Sequence, residues 1–146
     1  MIRINYPEHK PQIRNGIKEE IFCINRKKWV LLTPEEWVRQ NLLLYLIHKV
    51  GYPKSLIAVE RQIKVGDLSK RFDIVCYKNN EPFIVIECKK MSVSLTDDVL
   101  MQVLRYNMKV NAKYLIITNG LDCFGFEKEE NRLKEIEVFP DYAERD

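Results

Sequence analysis

The stretch that decides the fold runs from Phe72 to Lys90. It reads Phe72-Asp73-Ile74-Val75-Cys76-Tyr77, then Lys78-Asn79-Asn80-Glu81-Pro82, then Phe83-Ile84-Val85-Ile86-Glu87-Cys88-Lys89-Lys90. Two apolar, β-branched-rich runs flank a short polar connector with Asn-Asn and Pro, which predicts a β-hairpin. Side chains alternate faces along a strand, so Phe83, Val85, Glu87 and Lys89 are expected on one face and Ile84, Ile86 and Cys88 on the other. Both faces are apolar, the mark of a central strand covered on both sides. On the preceding strand Asp73 falls in line with Val75 and Tyr77. Asp73, Glu87 and Lys89 are therefore expected to converge at the edge of a core, where charge is costly unless paired or holding a metal.

Working outward, Thr33-Pro34-Glu35-Glu36 predicts a helix start. Thr33 suits the N-cap, Pro34 the first helical position, and Glu36 the third position of a capping box. The helix continues through Val38, Leu42, Tyr45 and Leu46 and stops near Gly51-Tyr52-Pro53. Residues 56–65 read as a strand closed by Gly66-Asp67. Thr96 caps a second helix over about residues 97–111, begun by Asp97-Asp98, which suit its dipole. Tyr114–Thr118 is a buried strand ending at Asn119-Gly120, and residues 122–138 add one or two edge strands. Ile21–Ile24 and Trp29–Leu32 predict short strands around a basic turn. The order is that of an α/β fold, a mixed central sheet flanked by helices.

At 146 residues one domain is expected: an irregular N-terminal arm over residues 1–19, a domain over 20–140 and an acidic tail over 141–146. Hydrophobic residues make up 46% and charged residues 31%, an ordinary globular composition. The longest apolar run, Leu42–Ile47, is far too short to span a bilayer, and the first residues lack the apolar core of a secretory signal. Cys23, Cys76, Cys88 and Cys123 are scattered with no Cys-x-x-Cys, which predicts reduced, buried thiols and a cytoplasmic setting. Residues 127–146 hold eight acids and four bases, a net −4, which leaves +7 on the first 126 residues of a chain whose net charge is +3. Basic clusters at Arg26-Lys27-Lys28, Lys70-Arg71 and Lys89-Lys90 suit a polyanion, and suit a solvated surface equally well.

Asp73 and Glu87 on neighbouring strands suit a hard divalent cation, Mg²⁺ or Mn²⁺, with the Cys88 carbonyl as a further oxygen ligand. Such a cation polarises a phosphodiester and activates water, and Lys89 is placed to orient the nucleophile or stabilise developing charge. The same residues also read as an ion pair at the sheet's end. Gln102 and Tyr106 stand four apart on one helix face, suited to a phosphate backbone or to an ordinary amphipathic surface. Glu36 reaches toward the site or serves only its cap, and Glu60 is a further acidic candidate. The two histidines, His9 and His48, join no nucleophile–base arrangement. No glycine-rich phosphate loop is present.

Taken in order, Thr33–Gln40, Gly51-Tyr52-Pro53, Val59-Glu60, Lys70–Val75, Val85–Lys89, Gln102–Asn107 and Thr118–Gly120 resemble the N-terminal nuclease domain of type I restriction enzyme R subunits, within the PD-(D/E)xK superfamily. The resemblance covers about residues 20–125. It implies a restriction-endonuclease-like core of helix, three antiparallel strands, helix and strand. It implies a metal on Asp73 and Glu87, Lys89 as the catalytic lysine, Gln102 and Tyr106 as the Gln-x-x-x-Tyr motif, and Glu36 as the helix carboxylate. Arg71 is a candidate phosphate contact. The family's R subunits continue into an ATP-driven translocase, and neither that nor a target-recognition domain is found in these residues. DNA is the expected substrate, with a separately encoded translocase, helicase or restriction–modification subunit as partner; a homodimer suits cleavage of both strands. A catalytically inactive nucleic-acid-binding or partner-docking module of the same fold is the alternative.

Overall fold

The computed structural model describes residues 1–143, so residues 144–146 of the expected acidic tail lie outside the described residues. Three short strands come first: β1 (Ile13–Arg14), β2 (Glu20–Cys23) and β3 (Lys28–Leu31), paired antiparallel in that order. Helix α1 (Pro34–Tyr45) follows, then β4 (Ile57–Val65), β5 (Leu68–Lys78), β6 (Glu81–Cys88), α2 (Asp97–Tyr106), β7 (Tyr114–Thr118), β8 (Cys123–Glu129) and β9 (Arg132–Ile136). The last six strands form one sheet in sequence order. Every neighbouring pair is antiparallel except β6 and β7, which run parallel with Ile86 beside Ile116. The parallel pair needs a crossover, and α2 supplies it.

Local chemistry accounts for these elements. Asn79 and Asn80 both take positive φ, 54° and 64°, and Lys78 pairs with Glu81 across them. Asparagine tolerates the left-handed region, so this two-residue turn matches the twist of the β5–β6 hairpin. At the start of α1 the Thr33 hydroxyl accepts the Glu36 N–H at 3.0 Å. At Tyr45 the helix widens into a single π-type turn, Leu46–Val50, and Gly51 ends it at φ +79°. Helix α2 stops at Tyr106, about five residues short of the extent its pattern predicts. The fully buried Asn107 side chain donates to the Val103 carbonyl at 2.8 Å, and Asn107 takes up a capping conformation instead of continuing the helix.

Both sheet faces are covered. Val38, Leu42 and Leu46 pack with Ile74, Ile84, Ile86 and Ile116 on one side. Leu100 and Val103 of α2 pack with Val75, Val85, Leu115 and Ile117 on the other. Phe83 departs from its expected face and joins the α1 side, because the β5–β6 register shifts between Cys76 and Tyr77 opposite the start of β6. The N-terminal arm is irregular over residues 1–12 yet packs on this core: Ile2 is buried and its N–H donates to the Cys123 carbonyl at 2.8 Å. No helix among the described residues is long and apolar enough to cross a membrane.

All four cysteines are free and buried. Burial pushes the Cys76 and Cys88 thiols well above their ordinary value, and Cys123 up to about 12. The folded state therefore keeps these protons after the unfolded state has begun to lose them. The resulting stability is fully present below the ordinary thiol value of 9.0 and is lost as pH rises from there toward 12. The free energy of unfolding, level near neutrality, should fall above pH ~9 by about 1.4 kcal/mol per pH unit for each thiol, and the denaturant midpoint with it. Cys76→Ala should make that slope shallower. A midpoint flat to pH ~11 would contradict this account of the core.

Candidate functional site

The β5–β6 register pairs Ile74 with Ile86, and Asp73 and Glu87 are each the next residue outward from that pair. Their side chains nevertheless find different partners. Asp73 Oδ2 accepts the Cys88 backbone N–H at 2.8 Å, and Oδ1 accepts from Arg39 of α1 at 2.9 Å. Glu87 is buried, pairs with Lys70 Nζ, and accepts weakly from Asn107 Nδ2 at 3.4 Å. The cause lies in the pleat. Val59 pairs with Ile74 and Arg61 with Phe72, but the pairing of Glu60 with Asp73 between them is missing, and Glu60 takes φ +53°. Phe72 packs on the α2 side and Ile74 on the α1 side, although two residues apart. A break of this kind re-aims a side chain, and here it accompanies the turn of Asp73 toward α1.

On the α1 side the charges form a chain. Glu36 Oε1 accepts from Arg26 at 3.0 Å and from Arg39 at 3.1 Å, while Gln40 Nε2 donates to its Oε2 at 3.0 Å. Arg26 and Arg39 each reach Glu60 at 3.5 Å. The Glu36 carboxylate thus joins this network rather than returning to the Thr33 N–H. Burial works against the Arg39 charge, but Glu36 and Asp73 outweigh it and hold its pKa above the ordinary arginine value. One Arg39 nitrogen, Nε, is buried without a hydrogen-bond partner.

On the α2 side lies an open cleft of about 790 Å³. Glu87 and Lys89 form part of its wall, facing Gln102 and Tyr106 of α2. Lys70, Arg105 and Lys109 add positive charge around it. Lys89 is held by its backbone N–H, which donates to the Thr118 carbonyl at 2.8 Å. The loop after it is tied down by Asn119, whose Nδ2 donates to the Val93 carbonyl and whose Oδ1 accepts the Leu121 and Asp122 N–H groups. Among the described residues no group of three or more His, Cys, Asp and Glu side chains is arranged to hold a metal ion.

A family model described as the type I restriction enzyme R protein N terminus matches residues 34–140. The chain belongs to this family. No individually curated protein matches it significantly. The family span begins with α1 and ends after β9, so it contains Glu36, Arg39, Asp73, Glu87, Lys89, Gln102 and Tyr106. Arg26, which pairs with Glu36, precedes the span.

Of the candidates read from sequence, Glu87, Lys89, Gln102 and Tyr106 line the R-protein domain's cleft together. Asp73 and Glu36 lie instead in the α1 network, joined through Arg39. Arg71 is exposed and outside the cleft lining. Cys88 meets Asp73 through its backbone N–H, while its thiol is buried on the α1 side. Sequence reasoning passed over Arg39 and Asn107. Arg39 carries a legible signal, an arginine three residues after Glu36 on the buried helix face. Asn107 carries none beyond being polar after an apolar helix.

Proposed function

We propose that this chain is a metal-dependent deoxyribonuclease domain of the restriction type, with a restriction-endonuclease-like core, hydrolysing DNA phosphodiester bonds with Mg²⁺ or Mn²⁺. The observation that carries the reading is membership of the R-protein N-terminal family together with Glu87 and Lys89 side by side on the wall of a basic cleft. The donor set fits a hard cation: two carboxylates and the Cys88 carbonyl are all oxygen ligands. Metal binding there would displace the Arg39 and Lys70 contacts that the two carboxylates make. Asp73, Glu87 and the Cys88 carbonyl would hold the metal, which when bound polarises the phosphate and lowers the pKa of a water. Lys89 orients the attacking water and offsets charge developing on the phosphate. Gln102 and Tyr106 position the substrate strand against α2, and Arg71 attracts flanking phosphate from the strand surface. Glu36 steadies Asp73 through Arg39. The family setting suits a translocase, helicase or restriction–modification subunit as partner, and pairing of two copies would suit cleavage of both strands.

A non-catalytic nucleic-acid-binding or docking module is the second reading, favoured by one observation: Arg39 and Lys70 already neutralise the two carboxylates. Calorimetric titration of Mn²⁺ into the protein with a non-hydrolysable DNA duplex, beside Asp73→Asn, separates the two. The nuclease reading expects uptake that disappears in the variant. No uptake by either protein would transfer the assignment to the second reading.

A further inference from the structure

We propose that the cleft beside α2 takes single-stranded DNA, with a base stacked on Tyr106, rather than the exterior of an intact duplex. This rests on the reading of the chain as a DNA-processing domain and names the form of DNA that its site receives. The Tyr106 ring stands 72% exposed at the end of α2, on the rim of the cleft that Glu87 and Lys89 line. Leu68, 75% exposed, and Met108, 39% exposed, line the same cleft. Large apolar side chains gathered at a concave surface mark a contact site rather than scattered surface.

Charge identifies the occupant. Four cations, Lys70, Lys89, Arg105 and Lys109, line the cleft against two carboxylates, Asp67 and Glu87. Among the described residues only Lys70 of the four is engaged in an ion pair, leaving three cations for a polyanion. A duplex presents phosphates, sugars and groove edges outward, with its base faces stacked inside, so an exposed tyrosine face and a leucine have little to contact there. A single strand presents phosphates and base faces together, and a cationic groove set with aromatic rings is the surface that binds it. Gln102, one turn before Tyr106 on the same face, offers an amide to a base edge or phosphate.

The test is binding without divalent metal, in EDTA, so that cleavage does not enter. Fluorescence anisotropy at one fixed salt concentration would compare a labelled oligothymidylate of about 15 nucleotides, a blunt duplex and the same duplex with a single-stranded tail. The single strand and tailed duplex are expected to bind more tightly than the blunt duplex. Tyr106→Ala should weaken single-strand binding about tenfold or more, and by a larger factor than blunt-duplex binding, and Tyr106→Trp should retain single-strand binding. A 5-iodouracil strand should photocrosslink to Tyr106. Equal or tighter binding of the blunt duplex, or no effect of Tyr106→Ala on the single strand, would overturn the proposal. Its failure is distinct from failure of the nuclease reading: a protein that binds and cuts blunt duplex defeats only the former. One that binds single strands through Tyr106 and cuts nothing with Mg²⁺ or Mn²⁺ defeats only the latter.

Discussion

Lys89→Ala is expected to lower DNA cleavage by at least about 100-fold while leaving the fold unchanged. The side chain is half-buried on the cleft wall, and no ion pair of the described residues uses it. Its backbone N–H, which anchors the strand end to the Thr118 carbonyl, survives the substitution. Thermal unfolding should therefore stay within about 0.5 kcal/mol of the parent, as for surface substitutions generally. On the nuclease reading the charge, in contrast, is lost where negative charge develops in the phosphodiester transition state. The stem of the lysine also fixes where the charge sits, so Lys89→Arg should rescue little. Metal-dependent cleavage of a tailed duplex, assayed beside circular dichroism, reads both effects. Cleavage at the parental rate in Lys89→Ala would remove Lys89 from the mechanism.

Arg39→Met is expected to destabilise the protein by about 3 kcal/mol near pH 7, through electrostatics rather than packing. Arg39 is 8% exposed as a side chain and bridges Glu36, at 10%, to Asp73, at 28%. Methionine keeps most of the apolar stem and removes the guanidinium. Glu36 retains Arg26 and Gln40, so the cost falls mainly on Asp73, which keeps only the Cys88 N–H among the bonds described above. The raised pKa of Arg39 keeps the guanidinium charged near pH 7, and its contribution fades as pH rises through the arginine range. Urea unfolding of parent and variant at pH 7 measures the loss. A loss under about 0.5 kcal/mol at pH 7 would reduce the network to surface ion pairs.

The elements were legible because their signals are local. Asn79-Asn80 between two apolar runs specifies the hairpin through residues that accept positive φ. Thr33 with Pro34, and Thr96 with Asp97-Asp98, specify helix starts through groups within one turn. The doubly apolar β6 announced a central strand, and the sheet covers it on both faces. That Glu87 and Lys89 share one strand face, and Gln102 and Tyr106 one helix face, was also legible from alternation and helix periodicity; that the two faces meet at one cleft was implied only by the family resemblance.

The aim of Asp73 was not. Alternation puts it in line with Val75, but the missing Glu60–Asp73 pair and the positive φ of Glu60 break the pleat there, and a period-2 argument assumes an unbroken pleat. Its partner Arg39 stands 34 residues earlier in the chain, on a helix whose packing angle no local pattern encodes. The sequence alone determined most of the helices and strands, the two-sided core and the side of the sheet on which Glu87 and Lys89 lie, because propensity and periodicity act over a few residues. Only the tertiary structure decided which cation each carboxylate meets. Ion pairs between distant elements depend on how sheet and helices pack, and a buried guanidinium seeks whatever carboxylate that packing brings within reach.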